Sequence, residues 1–201
     1  MNHLAFGGAS IDGGAYVGIT HFARHAPHGL NTVITYFSDY GLALFAVLML
    51  IAWWWARRGG AGAVARALAA PAVVVVAFLL NDVIKSVFDE QRPCRTLHTV
   101  TVEVCPGLGD WSFPSNHSAI AAAAAVALFL CDRRLGRIAV PAALLMAASR
   151  VWIGAHYPHD VVVGLLVGTL VAWWLTPLAG RASPVVDRIG ATRLRPLVAA
   201  R

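Results

Sequence analysis

A-L-A-A-P-A-V-V-V-V-A-F-L-L-N-D-V-I-K-S-V-F, residues 67–88, holds only two charged groups, Asp82 and Lys85, both near its end. Roughly 20 apolar residues in one helix span the hydrocarbon core of a bilayer. Apolar runs of similar character recur at Tyr40–Ala56, Ser118–Cys131, Ile138–Ile153 and Val161–Leu178. The 201 residues are 58% hydrophobic and 13% charged, with a mean hydropathy of +0.66, whereas a soluble domain carries about 25% charge. These features predict an all-α integral membrane bundle of about five spans. Several runs are short and border polar stretches, which sets those helix ends at the headgroup level. There is no internal repeat, so residues 40–180 read as one membrane core.

The net charge of +6 is distributed by loop. Arg57, Arg58 and Arg66 separate the first two runs, and Arg133, Arg134 and Arg137 separate the third and fourth. Arg181, Arg188, Arg193, Arg195 and Arg201 fill the tail, residues 181–201. In a five-span bundle these segments share one side, which the positive-inside rule makes cytoplasmic. The loop Asp89–Phe113 and the turn around His156 then face outward. Arginines that follow topology do not form a nucleic-acid patch, so no nucleic-acid partner is expected.

Residues 1–39 lack a charged start followed by an apolar core and do not read as a cleavable signal peptide. Leu30, Val33, Ile34 and Phe37 recur at helical spacing, with Asn31, Thr32, Ser38 and Asp39 opposite. That pattern predicts an N-terminal interfacial helix. A distorted sixth span over residues 16–30 is the alternative. His21, His25 and His28 have a spacing that could suit a metal, and surface histidines are the preferred reading.

Chemistry gathers at the outward ends. Lys85 is the only lysine, against fifteen arginines. It lies seven residues before Arg92, so a helix persisting to Pro93 would point both cations the same way. Lys85 paired to Asp82 and snorkelling to the interface is the competing account. Cys94 and Cys105 follow in the outer loop, either disulfide-bonded or as two thiols. F-P-S-N-H-S, Phe113–Ser118, sets Ser115, Asn116 and His117 at a helix start, where free N–H groups bind anions and Ser115 or Asn116 can cap. S-R-V-W-I-G-A-H-Y-P-H-D, Ser149–Asp160, places Asp160 four residues after His156, within reach of its ring. A carboxylate there fixes the tautomer that leaves the other ring nitrogen nucleophilic. Arg150 adds a planar fork suited to phosphate oxygens. A zinc reading of H-Y-P-H-D would instead set His156 and His159 on one ion.

Together, K-S-V-F-D-E-Q-R-P, F-P-S-N-H-S and S-R-V-W-I-G-A-H-Y-P-H-D resemble the three linked motifs of the type 2 phosphatidic acid phosphatase superfamily, shared with vanadium haloperoxidases. The small size and H-Y-P-H-D-V look most like bacterial undecaprenyl pyrophosphate phosphatases of the bacitracin-resistance type. One departure is Asn116, where the family has Gly; it brings a side chain to the pocket.

The resemblance implies catalysis by His156, His117 and Asp160, and phosphate binding by Lys85, Arg92, Ser115, Asn116 and Arg150, without metal or other cofactor. His156 would become phosphorylated and His117 would protonate the leaving oxygen. The implied substrate is a polyprenyl pyrophosphate in the outer leaflet of a bacterial cell membrane, with recycling of the cell-wall lipid carrier. Phosphatidic acid, phosphatidylglycerol phosphate and other prenyl phosphates are alternative substrates. A small transporter is the competing class, but it has no need of the His156–Asp160 pair.

Overall fold

The computed structural model describes residues 7–199, so Met1–Phe6 of the expected interfacial segment, and Ala200 and Arg201 of the tail, lie outside the described residues. All regular structure among the described residues is helical: α1 Ala9–His25, α2 His28–Tyr40, α3 Leu42–Ala56, α4 Ala61–Lys85, α5 Pro93–Thr96, α6 Asn116–Cys131, α7 Arg133–Trp152, α8 Pro158–Ala179, α9 Ser183–Gly190 and α10 Arg195–Val198. Ala61–Lys85, Arg133–Trp152 and Pro158–Gly190 are long and apolar enough to cross a membrane. α2 and α3 also qualify as a pair bent by 53°, while α6 is a shorter apolar helix.

α6 is the axis of the bundle. Ala119, Ala121–Ala125 and Ala127 are each no more than 4% exposed, so small side chains pack on every side of it. In a membrane such residues let backbones approach closely, which maximises dispersion contacts where apolar burial drives little. α8 approaches most tightly: a Cβ at Gly168 would collide with the Ala119 carbonyl, and one at Gly164 would press on that of Ser115. Phe45, Leu48, Val73, Leu128, Leu135 and Met146 complete the core. Large apolar side chains face outward instead, among them Leu79, Val83, Leu144, Leu166, Leu170, Trp173 and Trp174. That is the inside-out distribution of a chain solvated by lipid.

The apolar runs foretold the long helices to within a few residues, and local chemistry sets their ends. α7 starts at Arg133, five residues before its apolar run, because Asp132 accepts from the N–H groups of Arg134 (2.7 Å) and Leu135 (3.3 Å). Such a cap satisfies donors that a helix start leaves open. The arginine-bearing ends meet: Arg57 Nη1 donates to Pro196 O (2.7 Å), Trp53 Nε1 donates to Leu197 O (2.9 Å), and Val186 and Val198 pack on Val64 and Ala65. The tail thus folds back on the ends of α3 and α4.

The N-terminal segment is two helices rather than one. α1 ends before Ala26-Pro27, and α2 leads directly into α3 at Gly41. The polar face expected to meet water is partly turned inward: Ser38 is buried and accepts from Arg150 Nη1 (2.6 Å). A buried guanidinium needs acceptors more than an exposed serine needs water. α1 packs beside the turn after α7, with the buried Tyr16 donating its hydroxyl to Gly154 O (2.9 Å). His21, His25 and His28 are exposed, as the surface reading had it.

Gly168→Val should lower stability in detergent by about 1–3 kcal/mol, the usual range for overpacking, and depress the thermal midpoint. Gly18→Ala, with nothing within 4 Å of the added methyl, is the control and should leave it unchanged or slightly raised.

Candidate active site

Arg150 through Asp160 form a helix, a tight turn and a second helix start. After α7, Gly154 adopts φ +90°, a left-handed conformation that favours glycine, and a Cβ there would also collide with Thr101. The turn lets the N–H groups of Ala155 and His156 donate to Arg150 O (3.0 and 3.3 Å). Pro158 then begins α8 with Tyr157 as N-cap, and the Tyr157 N–H donates to Asp160 Oδ2 (2.8 Å). The carboxylate that caps the helix is therefore the one that faces His156.

The His156 ring is buried between an anion and a cation. Its Nδ1 lies 3.3 Å from Asp160 Oδ2, and its Nε2 lies 2.8 Å from Arg92 Nη1. A guanidinium can only donate, so Nε2 must offer its lone pair and the ring proton sits on Nδ1 toward Asp160. Burial, and then the charges of Arg92, Arg150 and Lys85, push His156 well below its ordinary pKa. The ring is thus neutral near pH 7, with a lone pair directed away from the carboxylate. Asp160 accepts a further short bond from Ser112 Oγ (2.5 Å).

Lys85 and Arg92 converge, but not by the helical route expected. α4 ends at Lys85, and Pro93 opens α5 rather than closing α4. The intervening loop turns Arg92 inward, where Nη1 donates to Ala155 O (2.9 Å) and Nε donates to Asp110 O (3.0 Å). Nη2 forms an ion pair with Asp110 Oδ1 (2.7 Å). Lys85 Nζ donates to Trp111 O (2.9 Å) instead of snorkelling to Asp82. Cys94 and Cys105 are disulfide-bonded, closing this loop on itself.

Ser115 is the N-cap of α6: its hydroxyl faces the Ser118 N–H (3.4 Å) and hydroxyl (3.1 Å), and its own N–H donates to Asp160 O (3.1 Å). Asn116 and His117 open the helix, where N–H groups have no intrahelical acceptor. The Asn116 side chain does not swing free in the pocket: its Oδ1 accepts from the buried Asn81 Nδ2 (2.6 Å) on α4. Arg150, bonded to Ser38, has a buried Nε with no hydrogen-bond partner among the described residues. Arg150, Arg92 and Lys85 act electrostatically on both His117 and His156, so the three cations and two histidines share one region at the ends of α4, α6, α7 and α8.

Sequence reasoning missed Asp110, Ser112 and Ser38 as partners, and missed Asp12 and Glu90 altogether. Ser112 and Asp110 adjoin F-P-S-N-H-S and could have been flagged by position; Ser38 and Asp12 carried no such signal. A zinc reading would set His156 and His159 on one ion. His156 and His159 approach different oxygens of Asp160, Nδ1 of the first toward Oδ2 and Nε2 of the second toward Oδ1. Among the described residues the metal-compatible group is Glu90, His159 and Asp160, with ligand atoms within 4.8 Å of one another.

Residues 66–183 match the model of the PAP2 superfamily. The chain is 28% identical over 171 residues to undecaprenyl-diphosphatase BcrC of Bacillus subtilis (strain 168), covering 84% of this chain and 85% of that one. It is 31% identical over 151 residues to the bacitracin transport permease protein BcrC of Bacillus licheniformis, covering 74% and 72%. In fold it resembles a transmembrane PAP2-type phosphatidylglycerolphosphate phosphatase from Bacillus subtilis, with a TM-score of 0.55 and 22% identity over 84% of this chain and 86% of that one. A family match over more than half the chain, on a helical membrane bundle carrying all three motifs, establishes that this protein belongs to the PAP2 superfamily and is a membrane phosphatase.

Proposed function

We propose that this phosphatase hydrolyses the terminal phosphate of a polyprenyl pyrophosphate through a phosphohistidine, returning the monophosphate carrier for cell-wall synthesis. The observation that carries the chemistry is the His156 ring itself: neutral, with Asp160 behind Nδ1 and a guanidinium at Nε2. The undecaprenyl-diphosphatase relative supports the lipid.

On binding, phosphate oxygens replace His156 Nε2 and Asp110 as acceptors for Arg92, and the lone pair of Nε2 is released toward phosphorus. Nε2 attacks, the P–N bond forms and the bridging P–O bond breaks. His117, at the start of α6, gives its proton to the leaving prenyl phosphate; the substrate's own negative charge balances the three cations around that imidazole. His117 then takes a proton from water, which attacks the phosphohistidine, breaks the P–N bond and releases phosphate. Arg150, Lys85, Arg92 and the N–H groups opening α6 stabilise the charge that develops on the equatorial oxygens. Asp160 holds the imidazolium that forms during transfer. The permease name of one relative prompts a transport alternative, yet a transport route needs neither the His156–Asp160 pair nor a second histidine at a helix start.

Phosphate release by purified protein across prenyl pyrophosphates, phosphatidic acid and phosphatidylglycerol phosphate should favour the prenyl pyrophosphates. His156→Ala and His117→Ala should abolish turnover without unfolding the protein. Asp160→Asn should cost on the order of 10⁴, as in the serine-protease triad where the same exchange mistunes the tautomer. Near-normal turnover by His156→Ala removes the nucleophile assignment.

Activity should survive excess EDTA, and orthovanadate should inhibit by mimicking five-coordinate phosphorus at His156. Loss to chelator with recovery on adding zinc would overturn the metal-free mechanism.

The site lies at the opposite end of the bundle from the arginine-rich loops, which supports an outward-facing site by the positive-inside rule. On intact cells, after reduction, an impermeant thiol reagent should label Cys94 and Cys105 but not Cys131. The inverse pattern would remove the recycling role.

A further inference from the structure

The second histidine of H-Y-P-H-D is not used by the chemistry above, yet it touches the same carboxylate. His159 stands on the far side of Asp160 from His156. Its backbone N–H donates to Asp12 Oδ2 (2.7 Å), and its Nδ1 lies 2.8 Å from Asp12 Oδ1. Its Nε2 lies 3.2 Å from both oxygens of Glu90 and 3.3 Å from Asp160 Oδ1. That Asp160 oxygen is buried and, among the described residues, takes part in no hydrogen bond. Glu90 is 1% exposed. The imidazole stacks on Tyr157, with ring centroids 5.3 Å apart, and a Cβ on Gly8 would collide with the Glu90 carboxylate. The start of α1 thus packs directly against this cluster.

Two buried carboxylates so close cannot both stay ionised without a cation between them. Arg92 is turned to Asp110 and His156. His159 has a carboxylate at each ring nitrogen, and to satisfy both it must donate from both, which only the doubly protonated ring can do. We propose that His159 is a positioning residue: an imidazolium braced by Asp12 and Glu90 that keeps Asp160 ionised and aimed at His156. This rests on the reading of Asp160 as the carboxylate that orients the nucleophile. The groups that set the balance are Asp12 on α1, Lys85 on α4, Glu90 and Arg92 between α4 and α5, Ser112 before α6, and His156, Tyr157 and Asp160 around the start of α8. As pH falls, Asp160 is the group whose protonation stops turnover, because His156 is already neutral. Without the His159 charge, Glu90 favours protonation of Asp160 and the acid limb moves to higher pH.

The test is the pH profile of prenyl pyrophosphate hydrolysis by full-length protein in detergent, for His159→Gln, Asp12→Asn and the double variant His159→Gln/Glu90→Gln. His159→Gln should lose on the order of ten- to a hundredfold in kcat at pH 7, because Asp160 takes up a proton and no longer orients the nucleophile. KM should change little, and the acid limb should rise by about one pH unit or more. Asp12→Asn, which reaches the site only through His159, should shift the limb the same way by less, and it carries the test if His159→Gln fails to fold. Removing the Glu90 charge should return the limb toward its original position and recover most of the kcat, so the double variant outperforms the single one. An unmoved acid limb, or losses in the double variant that simply add, overturns the inference and leaves His159 a packing residue. Zinc-dependent activity that chelation removes and that is lost in His159→Gln overturns it in favour of a metal site. Asp160→Asn separates the two levels: if it retains full activity, the orienting role of Asp160 itself falls. If it is inactive while His159→Gln has the original profile, only the inference about His159 falls.

Discussion

The Asp160 carboxylate is the constraint on which the rest of the site depends. It is fully buried, and one oxygen takes a backbone N–H from Tyr157, a hydroxyl from Ser112 and the Nδ1 side of His156. The first contact starts α8, the second ties in the loop before α6, and the third sets the imidazole tautomer. Its main-chain oxygen also receives the N–H of Ser115, which caps α6. One residue therefore joins the two helix starts between which phosphate would sit. A buried anion is costly unless hydrogen-bonded and paired, so structural need and the proposed chemical role coincide here.

The alanine-rich α6 makes that arrangement attainable. With almost no side-chain volume, it allows α8 to come within backbone contact at Gly164 and Gly168. The first of these glycines faces the Ser115 carbonyl, so packing along the pair reaches directly into F-P-S-N-H-S. Larger residues would separate the helices and lengthen the Ser115–Asp160 bond. The polarity of the bundle has the same simplicity. Arg57, Arg58, Arg66, Arg133, Arg134, Arg137 and the folded tail occupy one end, with Arg57 lying 3.8 Å over the Trp54 ring, and Lys85, Arg92, His117, Arg150 and His156 occupy the other.

The loop between α4 and α5 gives the site Arg92, while Lys85 ends α4 and Arg150 lies on α7. Arg92 is held by the carbonyls of Ala155 and Asp110 as well as by the Asp110 carboxylate, which is half exposed. The disulfide confines the chain that follows Arg92, and Tyr16 links α1 to both Thr99 and Gly154. The α1 segment, expected to belong to an interfacial N-terminal segment or to a distorted sixth span, thereby packs against the site.

Much was legible in the sequence because its signals are local. Apolar runs name lipid-facing helices wherever they end up, and the four-residue spacing of His156 and Asp160 carries its geometry within a single turn. Three motifs in order, through their resemblance to a family, lead to the expectation that Lys85, Arg92, Ser115, Asn116, His117 and Arg150 form one group. Tertiary structure alone decided which partners they meet. Ser38 reaches Arg150 across 112 residues, and Asp12 reaches His159 across 147; no periodicity encodes such pairs. Lys85 and Arg92 were expected to align on a helix and instead converge through a loop. Asn116 was expected to bring a side chain to the pocket, and the oxygen of that side chain is taken by Asn81. In each case the outcome follows from burial, since a polar group removed from water takes whichever acceptor or donor the packed helices bring within reach, and only the assembled bundle determines which that is.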